Sequence, residues 1–389
     1  DAWRAYFESD SPQTAPLPGS WQGKCTAFQR LLLLKTFRPE KVAFGTVEFV
    51  ASELGESYKE PPPFDLQSTY NDSAAKVPIV FVLTSGADPT QYLLQLAKSQ
   101  GYTQGDNLKM VSLGQGQGPI AERLMAEGTQ KGHWVCLQNC HLCVSWLPTL
   151  DRLLEQLREA ESVSEDYRLW LTTMPTPQFP STVLQSSLKL TQEPPKGLKA
   201  NLGRSYIDLD MDLFEGCKQP AAYKNLLFGL CFFNAVIQER RKYGAIGWNI
   251  AYQWMTSDLN FAQANLKLFL DEQPNVPWEA LNVIISDVIY GGRVTDKQDV
   301  RLTRAILGIY MTPQCIDDPN YSYCPELNAS FHYAAPPEGE KDTYSAFISS
   351  FPLIDRPEIF GLHQNADITY QTKESNEMLA TIISLQPRT

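Results

Sequence analysis

Residues 108–142 read LKMVSLGQGQGPIAERLMAEGTQKGHWVCLQNCHL, and this stretch decides the fold class. It begins with an apolar run at 108–113, which is followed by a glycine-rich turn. A helix-like segment at 119–128 comes next, and a second apolar run follows at 134–137. This order predicts a strand, a tight loop, a helix and a second strand.

The same alternation continues on both sides of this stretch. Before it, residues 78–83 form a β-branched apolar run, and residues 91–98 carry apolar residues at helical spacing. After it, residues 146–157 show a helical pattern, and residues 169–171 form another short apolar run. Strands that alternate with helices of about ten to fifteen residues predict a parallel sheet covered by helices on both faces. The predicted fold class is therefore α/β.

Length and composition indicate more than one domain. The chain has 389 residues, and a single core stops growing near about 250–300 residues, so we expect two or three domains. The net charge of -11 argues against nucleic acid or an anionic membrane as the main partner. No apolar run approaches the roughly eighteen residues of a membrane span. Because the sequence lacks a signal peptide and an initial methionine, we expect a piece of a longer polypeptide.

Helical patterns dominate both ends of the sequence. Residues 1–73 are predicted to be mostly helical, with an apolar helix at 21–37 that we expect to be buried between domains. Residues 222–243 predict one long helix with too many apolar positions for a single stripe. We therefore expect it to pack against different partners on opposite sides and to join the sheet domain to the C-terminal region. Further helices are predicted at 259–270, 278–290 and 296–310.

The last part of the sequence predicts less regular structure. From residue 315 onward Pro, Tyr, Asn and Gly dominate until residues 376–385, so we expect loops with some strand.

The turn after the first predicted strand lacks the groups that bind nucleotide phosphates. A P-loop needs a glycine-rich turn followed by Lys and by Ser or Thr, which neutralise the phosphates and hold Mg²⁺. A hydrolytic site also needs acidic residues at the end of a later strand, where this chain has two amides. The residues of this degenerate site are Thr84, Ser85, Gly86, Asp88, Gln138 and Asn139. The sequence therefore predicts no catalytic residue and no bound cofactor in this segment.

Gly114, Gly116 and Gly118 leave a second, weak candidate for phosphate binding. Glycines allow close approach of the backbone, and a helix N-terminus attracts anions. The spacing is Gly-x-Gly-x-Gly-Pro rather than Gly-x-Gly-x-x-Gly, and no acidic residue follows at a strand end to bind a ribose. The alternatives are a ligand site and a turn that caps a helix or meets a neighbouring domain.

His133, Cys136, Cys140, His141 and Cys143 form a cluster of residue types that bind metals. A zinc site needs a second pair of ligands with matched spacing, and this pair is missing. We therefore predict buried thiols rather than a metal site, in a reducing compartment.

Seven stretches of the sequence closely resemble dynein heavy chains. They are PIVFVLTSGADP (78–89), SLGQGQGPIAE (112–122), HWVCLQNCHL (133–142), RLWLTTMPTPQFP (168–180), EPPKGLKAN (193–201), LLFGLCFFNAVIQERRKYGAIGWN (226–249) and YGGRVTD (290–296). The resemblance covers essentially the whole chain, and the 112–122 and 133–142 stretches look axonemal.

This resemblance implies the end of a six-module AAA+ ring. The implied fold is a P-loop-like parallel sheet with flanking helices, followed by an all-helical lid and a partial C-terminal domain. The implied domains are a helical approach to the sixth module (1–75), its large α/β subdomain (76–205), its lid (206–315) and the start of the C-terminal domain (316–389). In this family the sixth module has lost its nucleotide site, in agreement with the independent prediction for Thr84 and Gln138.

The resemblance also implies a function without catalysis in this segment. The segment is expected to close the ring and to couple motions in an ATP-driven, minus-end-directed microtubule motor. ATP and Mg²⁺ are cofactors of the parent motor, whose hydrolytic module lies outside this sequence. The implied location is the axoneme of a cilium or flagellum, within the cytoskeleton of the cytoplasm.

The implied partners are the neighbouring AAA+ modules and the C-terminal domain of the same heavy chain. Other dynein arm subunits and microtubules are reached through the parent complex, and neither nucleic acid nor a membrane is expected. The alternative function is a nucleotide-binding enzyme domain with an unorthodox phosphate site at residues 114–118.

Overall fold

A computed structural model of the chain describes residues 2–58, 65–84, 87, 89–114, 116–192, 196–207, 209–352 and 354–386. The chain divides into two compact units. We call residues 62–194 the sheet unit, and residues 1–61 together with 195–389 the helical unit.

Short strands alternate with helices in the sheet unit, and helices dominate the helical unit. The strands are β1 (Ile79–Leu83), β2 (Leu108–Ser112), β3 (Trp134–Gln138), β4 (Arg168–Thr173) and β5 (Leu188–Gln192). The helices up to residue 207 are α1 (Ala2–Glu8), α2 (Trp21–Lys24), α3 (Ala27–Phe37), α4 (Val42–Leu54), α5 (Leu66–Asn71), α6 (Thr90–Ser99), α7 (Gly118–Lys131), α8 (Leu147–Glu159), α9 (Ser181–Gln185) and α10 (Leu198–Ile207). The later helices are α11 (Met211–Glu215), α12 (Pro220–Arg240), α13 (Thr256–Glu272), α14 (Trp278–Val283), α15 (Lys297–Tyr310), α16 (Gln314–Asp317), α17 (Lys341–Ser349) and α18 (Gln364–Ser384).

The sheet unit contains a parallel sheet with the strand order β2-β3-β4-β1-β5. In its register Cys136 lies between Met110 of β2 and Trp170 of β4. The four predicted strands and the parallel α/β class are confirmed. The sequence analysis missed β5, whose short alternation of Leu188 and Leu190 with polar residues is a weak signal.

Alternation along the strands builds a separate core on each face of the sheet. One core contains side chains from β1, β3 and β4, including Val80, Val135 and Leu171, which pack with residues of α7 and α8. The other core contains the intervening side chains of these strands, including Trp134 and Trp170, which pack with residues of α5 and α6. Both faces are therefore apolar, as a parallel sheet requires.

The helical unit is built around α12. Every non-glycine residue from 226 to 233 is fully buried, so the helix has no solvent face in this part. Helices α10, α13, α15 and α16 contact it, and the turn Pro357–Phe360 packs near its end. The prediction of one long helix with partners on opposite sides is confirmed, and the elements that cover it belong to the helical unit. Its role as a joint to the sheet domain stays a prediction.

Among the described residues, this segment is also the one helix that is long and apolar enough to cross a membrane. The window within Pro220–Ile246 has a mean hydropathy of 1.2, but 72% of it is buried inside the protein. Packing in the core therefore accounts for its apolar composition.

Two sequence predictions about the ends of the chain are wrong. The segment at 21–37 is not one buried helix, because Thr26 caps a new helix there by accepting a hydrogen bond from the Gln29 N–H. Phe28 and Leu32 of that helix are 58% and 53% exposed. After residue 315 the described residues contain helices, including the 21-residue α18, and no strand. Burial of aromatic residues such as Tyr344 in the core of the helical unit outweighs the local preference for loops.

Gly229 in α12 allows the end of α15 to approach closely. A Cβ placed on Gly229 would lie 2.9 Å from the Tyr310 carbonyl oxygen at the end of α15. That oxygen is backbone and cannot move without separating the two helices. We expect Gly229→Ala to lower the free energy of unfolding of the helical unit by about 1–3 kcal/mol in urea titrations.

Gly203→Ala is the matched control. Gly203 also lies within a helix, and a Cβ there meets no atom within 4 Å. Alanine is favoured over glycine in a helix by about 0.5–1 kcal/mol, so this variant should be at least as stable as the parent chain. Equal stability of the two variants would show that the α12–α15 contact does not limit packing.

Candidate functional site

The carboxyl ends of parallel strands are where open α/β sheets bind ligands. At this edge of the sheet unit lie Thr84 after β1, and Gln138 and Asn139 at the end of β3. The sequence analysis placed these residues in one degenerate site, and the structure puts them at the same edge of the sheet.

The loop between β1 and α6 is described in part. Ser85, Gly86 and Asp88 of the predicted site lie outside the described residues. The Ala87 N–H donates to the Thr84 carbonyl oxygen at 3.0 Å, which closes a tight turn. This amide is therefore already used within the loop and does not point at a phosphate position.

Gln138 connects the end of β3 to the beginning of α6. Its Nε2 donates to Thr90 Oγ1 at 3.1 Å. An amide nitrogen in this role is a hydrogen-bond donor, whereas Mg²⁺ requires oxygen ligands, usually carboxylates. The side chain also cannot act as a general base.

Asn139 connects β3 to the strands on both sides of it. Its backbone N–H donates to Thr172 Oγ1 at 2.9 Å, and its Nδ2 donates to Ser112 Oγ at 3.2 Å. Its φ is 56°, a left-handed conformation that asparagine tolerates better than most residues. Thr172 is buried in β4 and Asn139 is half-buried, so the backbone bond is partly shielded from water.

The first helical residue after the glycine-rich loop is packed against an indole ring. A Cβ on Gly118 would lie 2.6 Å from Cδ1 of Trp146. Trp146 Nε1 donates to Glu122 Oε1 at 3.2 Å. The start of α7 therefore has a tryptophan and a carboxylate beside it, and the carboxylate disfavours a bound phosphate. Close packing explains why residue 118 is a glycine.

The amides of the same loop bond to the chain itself. The Gly114 N–H donates to the Ser112 carbonyl oxygen at 2.9 Å, and the Gln117 N–H donates to the Gly114 carbonyl oxygen at 3.3 Å. Gly116 has a φ of 80°, which requires glycine for the turn. Gln115 lies outside the described residues. The turn interpretation of the three glycines accounts for these contacts.

The predicted thiol and imidazole groups lie in packed surroundings. Cys136 belongs to the core on one face of the sheet and Cys140 to the core on the other, so they do not form a ligand pair. Burial raises the pKa of the Cys140 thiol to about 12, which makes it unreactive at neutral pH. His141 Nδ1 accepts from the Met174 N–H at 3.1 Å, and burial lowers the pKa of this imidazole.

No group of three or more His, Cys, Asp or Glu side chains within the described ranges is arranged to hold a metal ion. All eight cysteines are free.

A cleft of about 410 Å³ opens beside the ends of β1 and β4. Its lining residues are Val82, Thr173, Met174, Pro175, Thr176, Pro177, Phe179 and Leu184. The two threonine hydroxyls donate to the Met174 carbonyl oxygen and to Gln178 Oε1. The described lining residues include no basic side chain, so nothing among them neutralises a phosphate.

Sequence reasoning found the two amides but missed their partners. Thr90 and Thr172 supply the hydroxyl oxygens that make Gln138 and Asn139 part of a connected edge. The signal for Thr172 was present, because a buried strand that ends in two threonines places hydroxyls at its carboxyl end. No pattern in the sequence indicated the cleft, since the cleft depends on how the proline-rich loop after β4 folds.

Two families of domains match the chain. Residues 74–191 match the dynein heavy chain region D6 P-loop domain, and residues 223–366 match the dynein heavy chain AAA lid domain. A parallel sheet with flanking helices before an AAA lid is an AAA+ fold, so the predicted fold class is confirmed.

Individual dynein heavy chains are similar to nearly the whole sequence. Dynein axonemal heavy chain 2 of Homo sapiens is 43% identical over 386 residues, which cover 99% of this chain and 9% of that protein. Dynein axonemal heavy chain 12 of Mus musculus is 40% identical over 388 residues, which cover 99% of this chain and 12% of that protein. The flagellar inner arm I1 complex dynein-1-beta heavy chain of Chlamydomonas reinhardtii is 41% identical over 387 residues, which cover 100% of this chain and 8% of that protein.

The chain thus spans between 8% and 12% of the length of these relatives. Two adjacent domain matches in the expected order and identities of 40–43% agree with the resemblance carried by the sequence motifs. The chain therefore belongs to the dynein heavy chain family, axonemal type, and contains its D6 P-loop and AAA lid regions.

Proposed function

We propose that this chain is a non-catalytic structural and coupling segment of an ATP-driven, minus-end-directed microtubule motor, in which it closes the AAA+ ring. The observation that carries the proposal is the connected, uncharged carboxyl edge of the sheet. Gln138 and Asn139 stand at the strand end where a hydrolytic site needs acids, and both bond to neighbouring threonines.

An edge of this kind supports coupling because it does not depend on a ligand. Its hydrogen bonds connect β2, β3 and β4 to one another and to the start of α6. A packed and internally bonded unit moves as a rigid body rather than deforming gradually. The unit is thus suited to pass on a rotation that hydrolysis elsewhere produces.

The rest of the assignment follows from the family. We propose that ATP and Mg²⁺ act in another module of the heavy chain and that this segment holds no cofactor. The proposed partners are the neighbouring AAA+ modules and the C-terminal domain of the same polypeptide, with arm subunits and microtubules reached through the parent complex. The proposed location is the axoneme of a cilium or flagellum. The division into an approach, a large subdomain, a lid and a partial C-terminal domain is part of the same proposal.

The first test of the proposal is nucleotide binding. We expect isothermal titration of the chain with Mg-ATP to give no binding in the micromolar range, because the sequence has neither the P-loop lysine nor acids at the end of β3. A micromolar Kd would overturn the non-catalytic assignment and favour a nucleotide-binding enzyme domain.

If binding appears, Gly114→Ala shows whether the glycine-rich loop is the site. A Cβ at Gly114 meets no atom within 4 Å, so the variant should fold normally. Loss of binding in this variant would assign the nucleotide to the loop, and retained binding would assign it elsewhere.

The second test is the stability of the edge. Thr172→Val keeps the size and shape of the buried side chain but removes the acceptor of the Asn139 N–H. An unsatisfied buried donor costs about 1–3 kcal/mol, so we expect a loss of this size in the free energy of unfolding of the sheet unit. Within the intact heavy chain, the same variant should reduce microtubule-stimulated ATP turnover.

Thr191→Val is the control for this substitution. Thr191 lies in β5, where its side chain is exposed. Its replacement should change the free energy of unfolding by no more than about 0.5 kcal/mol and leave turnover unchanged. If both variants behave alike, the bonded edge contributes neither to stability nor to coupling.

A further inference from the structure

The exposed apolar side chains of the sheet unit lie at one edge of the sheet, beyond the carboxyl ends of β2, β3 and β4. Among the described residues of this unit, the large apolar side chains that are exposed are Ile120 (37%), Leu142 (63%), Val144 (46%) and Met174 (38%). Single exposed apolar residues are normal on a protein surface, but a group that shares one edge indicates an interaction site. We call these four residues and the cleft beside β1 and β4 the apolar edge.

Direct contacts connect the parts of the apolar edge. His141 Nδ1 accepts from the Met174 N–H at 3.1 Å, which joins the turn after β3 to the loop after β4. Trp146 packs against Gly118, two residues before Ile120, and so joins the same turn to the start of α7. The four exposed side chains therefore belong to one surface.

The two segments that carry most of this surface lack charged residues. Residues 139–147 (NCHLCVSWL) and 173–180 (TMPTPQFP) contain no Asp, Glu, Lys or Arg. The hydroxyls of Thr173 and Thr176 in the cleft already donate within the loop. Depletion of charge together with apolar and Met side chains is typical of the core of a protein interface, whereas nucleic acid requires cations.

The loop after β4 holds its shape without a partner. Prolines at 175, 177 and 180 restrict its backbone. The Phe179 N–H donates to the Thr176 carbonyl oxygen at 3.2 Å, and the Phe179 ring is buried. A loop that is already ordered loses little conformational entropy when a partner binds. The cleft is therefore suited to receive an apolar side chain without rearrangement.

The size of the apolar edge indicates the kind of partner that covers it. Stable complexes between free proteins bury about 800 Å² and roughly 20–30 residues on each side. The apolar edge has four exposed side chains and a cleft lined by eight described residues, so it is smaller than such an interface. A partner in the same polypeptide needs less contact, because its effective concentration is about millimolar. The matching dynein heavy chains extend far beyond the matched region, since this chain spans only 8–12% of their length.

We propose that the apolar edge is a docking surface for a neighbouring AAA+ module of the same heavy chain, which places an apolar side chain in the cleft. This inference rests on the proposed function, in which the neighbouring modules are partners, and it adds the surface and the chemistry of the contact. The rotation that the sheet unit passes on then enters or leaves through this edge.

Oxidation of Met174 by hydrogen peroxide, read by peptide mass spectrometry, measures whether the surface is covered. The oxidant must reach the methionine sulfur, so a covered residue reacts slowly. In this chain alone, Met174 should react as an exposed residue. In the intact heavy chain without nucleotide, we expect oxidation about tenfold slower, which corresponds to an effective concentration of about 1 mM and a contact Kd of about 0.1 mM.

Leu142→Asp places a charge in the proposed contact. Leu142 is exposed, so the variant chain should fold normally on its own. In the intact heavy chain it should return the oxidation of Met174 to the rate of the chain alone, because an unpaired charge opposes apolar docking. Ser162→Asp is the matched control, since it adds the same charge to an exposed loop residue before β4, at the opposite edge of the sheet. It should leave Met174 protected.

Equal oxidation rates of Met174 in the chain alone and in the intact heavy chain would overturn the proposal. Slow oxidation in the chain alone would do the same, because it would assign the cover to the helical unit or, if the rate falls with protein concentration, to a second copy. Equal effects of the two variants would also contradict it.

These outcomes are separate from the test of the proposed function. Micromolar binding of Mg-ATP would overturn the non-catalytic assignment at any oxidation rate. If the chain binds no nucleotide and Met174 stays exposed in the intact heavy chain, only the docking surface is wrong.

Discussion

Uncharged hydrogen bonds hold together the edge of the sheet on which the functional assignment depends. A buried amide needs an acceptor, and the Asn139 N–H finds one in the hydroxyl of Thr172. Gln138 reaches Thr90 in the same way. Both contacts are hydrogen bonds between uncharged groups of the sheet unit itself.

Charged side chains hold the beginning of α10 in the helical unit, whereas uncharged groups hold the carboxyl edge of the sheet. The centre of the helical unit is α12, which is fully buried at residues 226–233, and the end of this helix carries Glu239 and is followed by Lys242. These groups lie where the chain enters the unit and where α10 must be held.

The sequence predicted the features that depend on local pattern. Four strands and the central α12 followed from residues close together in the chain. Features that depend on distant contacts were missed or wrong. The exposure of Phe28, the helices after residue 315 and the pairing of β5 are set by which surfaces the rest of the protein covers. The partner of Asn139 is 33 positions away, so the two threonines that end β4 indicated a hydroxyl there but not its pairing with Asn139.

The structure distinguishes between the possible roles of the glycines in the glycine-rich loop. A glycine is compatible with a phosphate, a left-handed turn or a close neighbour, and the sequence alone does not separate these causes. Distances do separate them. Around Gly118 the space that a Cβ would occupy is filled by Trp146, while Gly116 has the positive φ of a turn. The fold itself therefore explains why both positions are glycine, so neither glycine is evidence for a bound ligand. The same reasoning applies to Gln138 and Asn139, whose amide groups are used by the sheet itself.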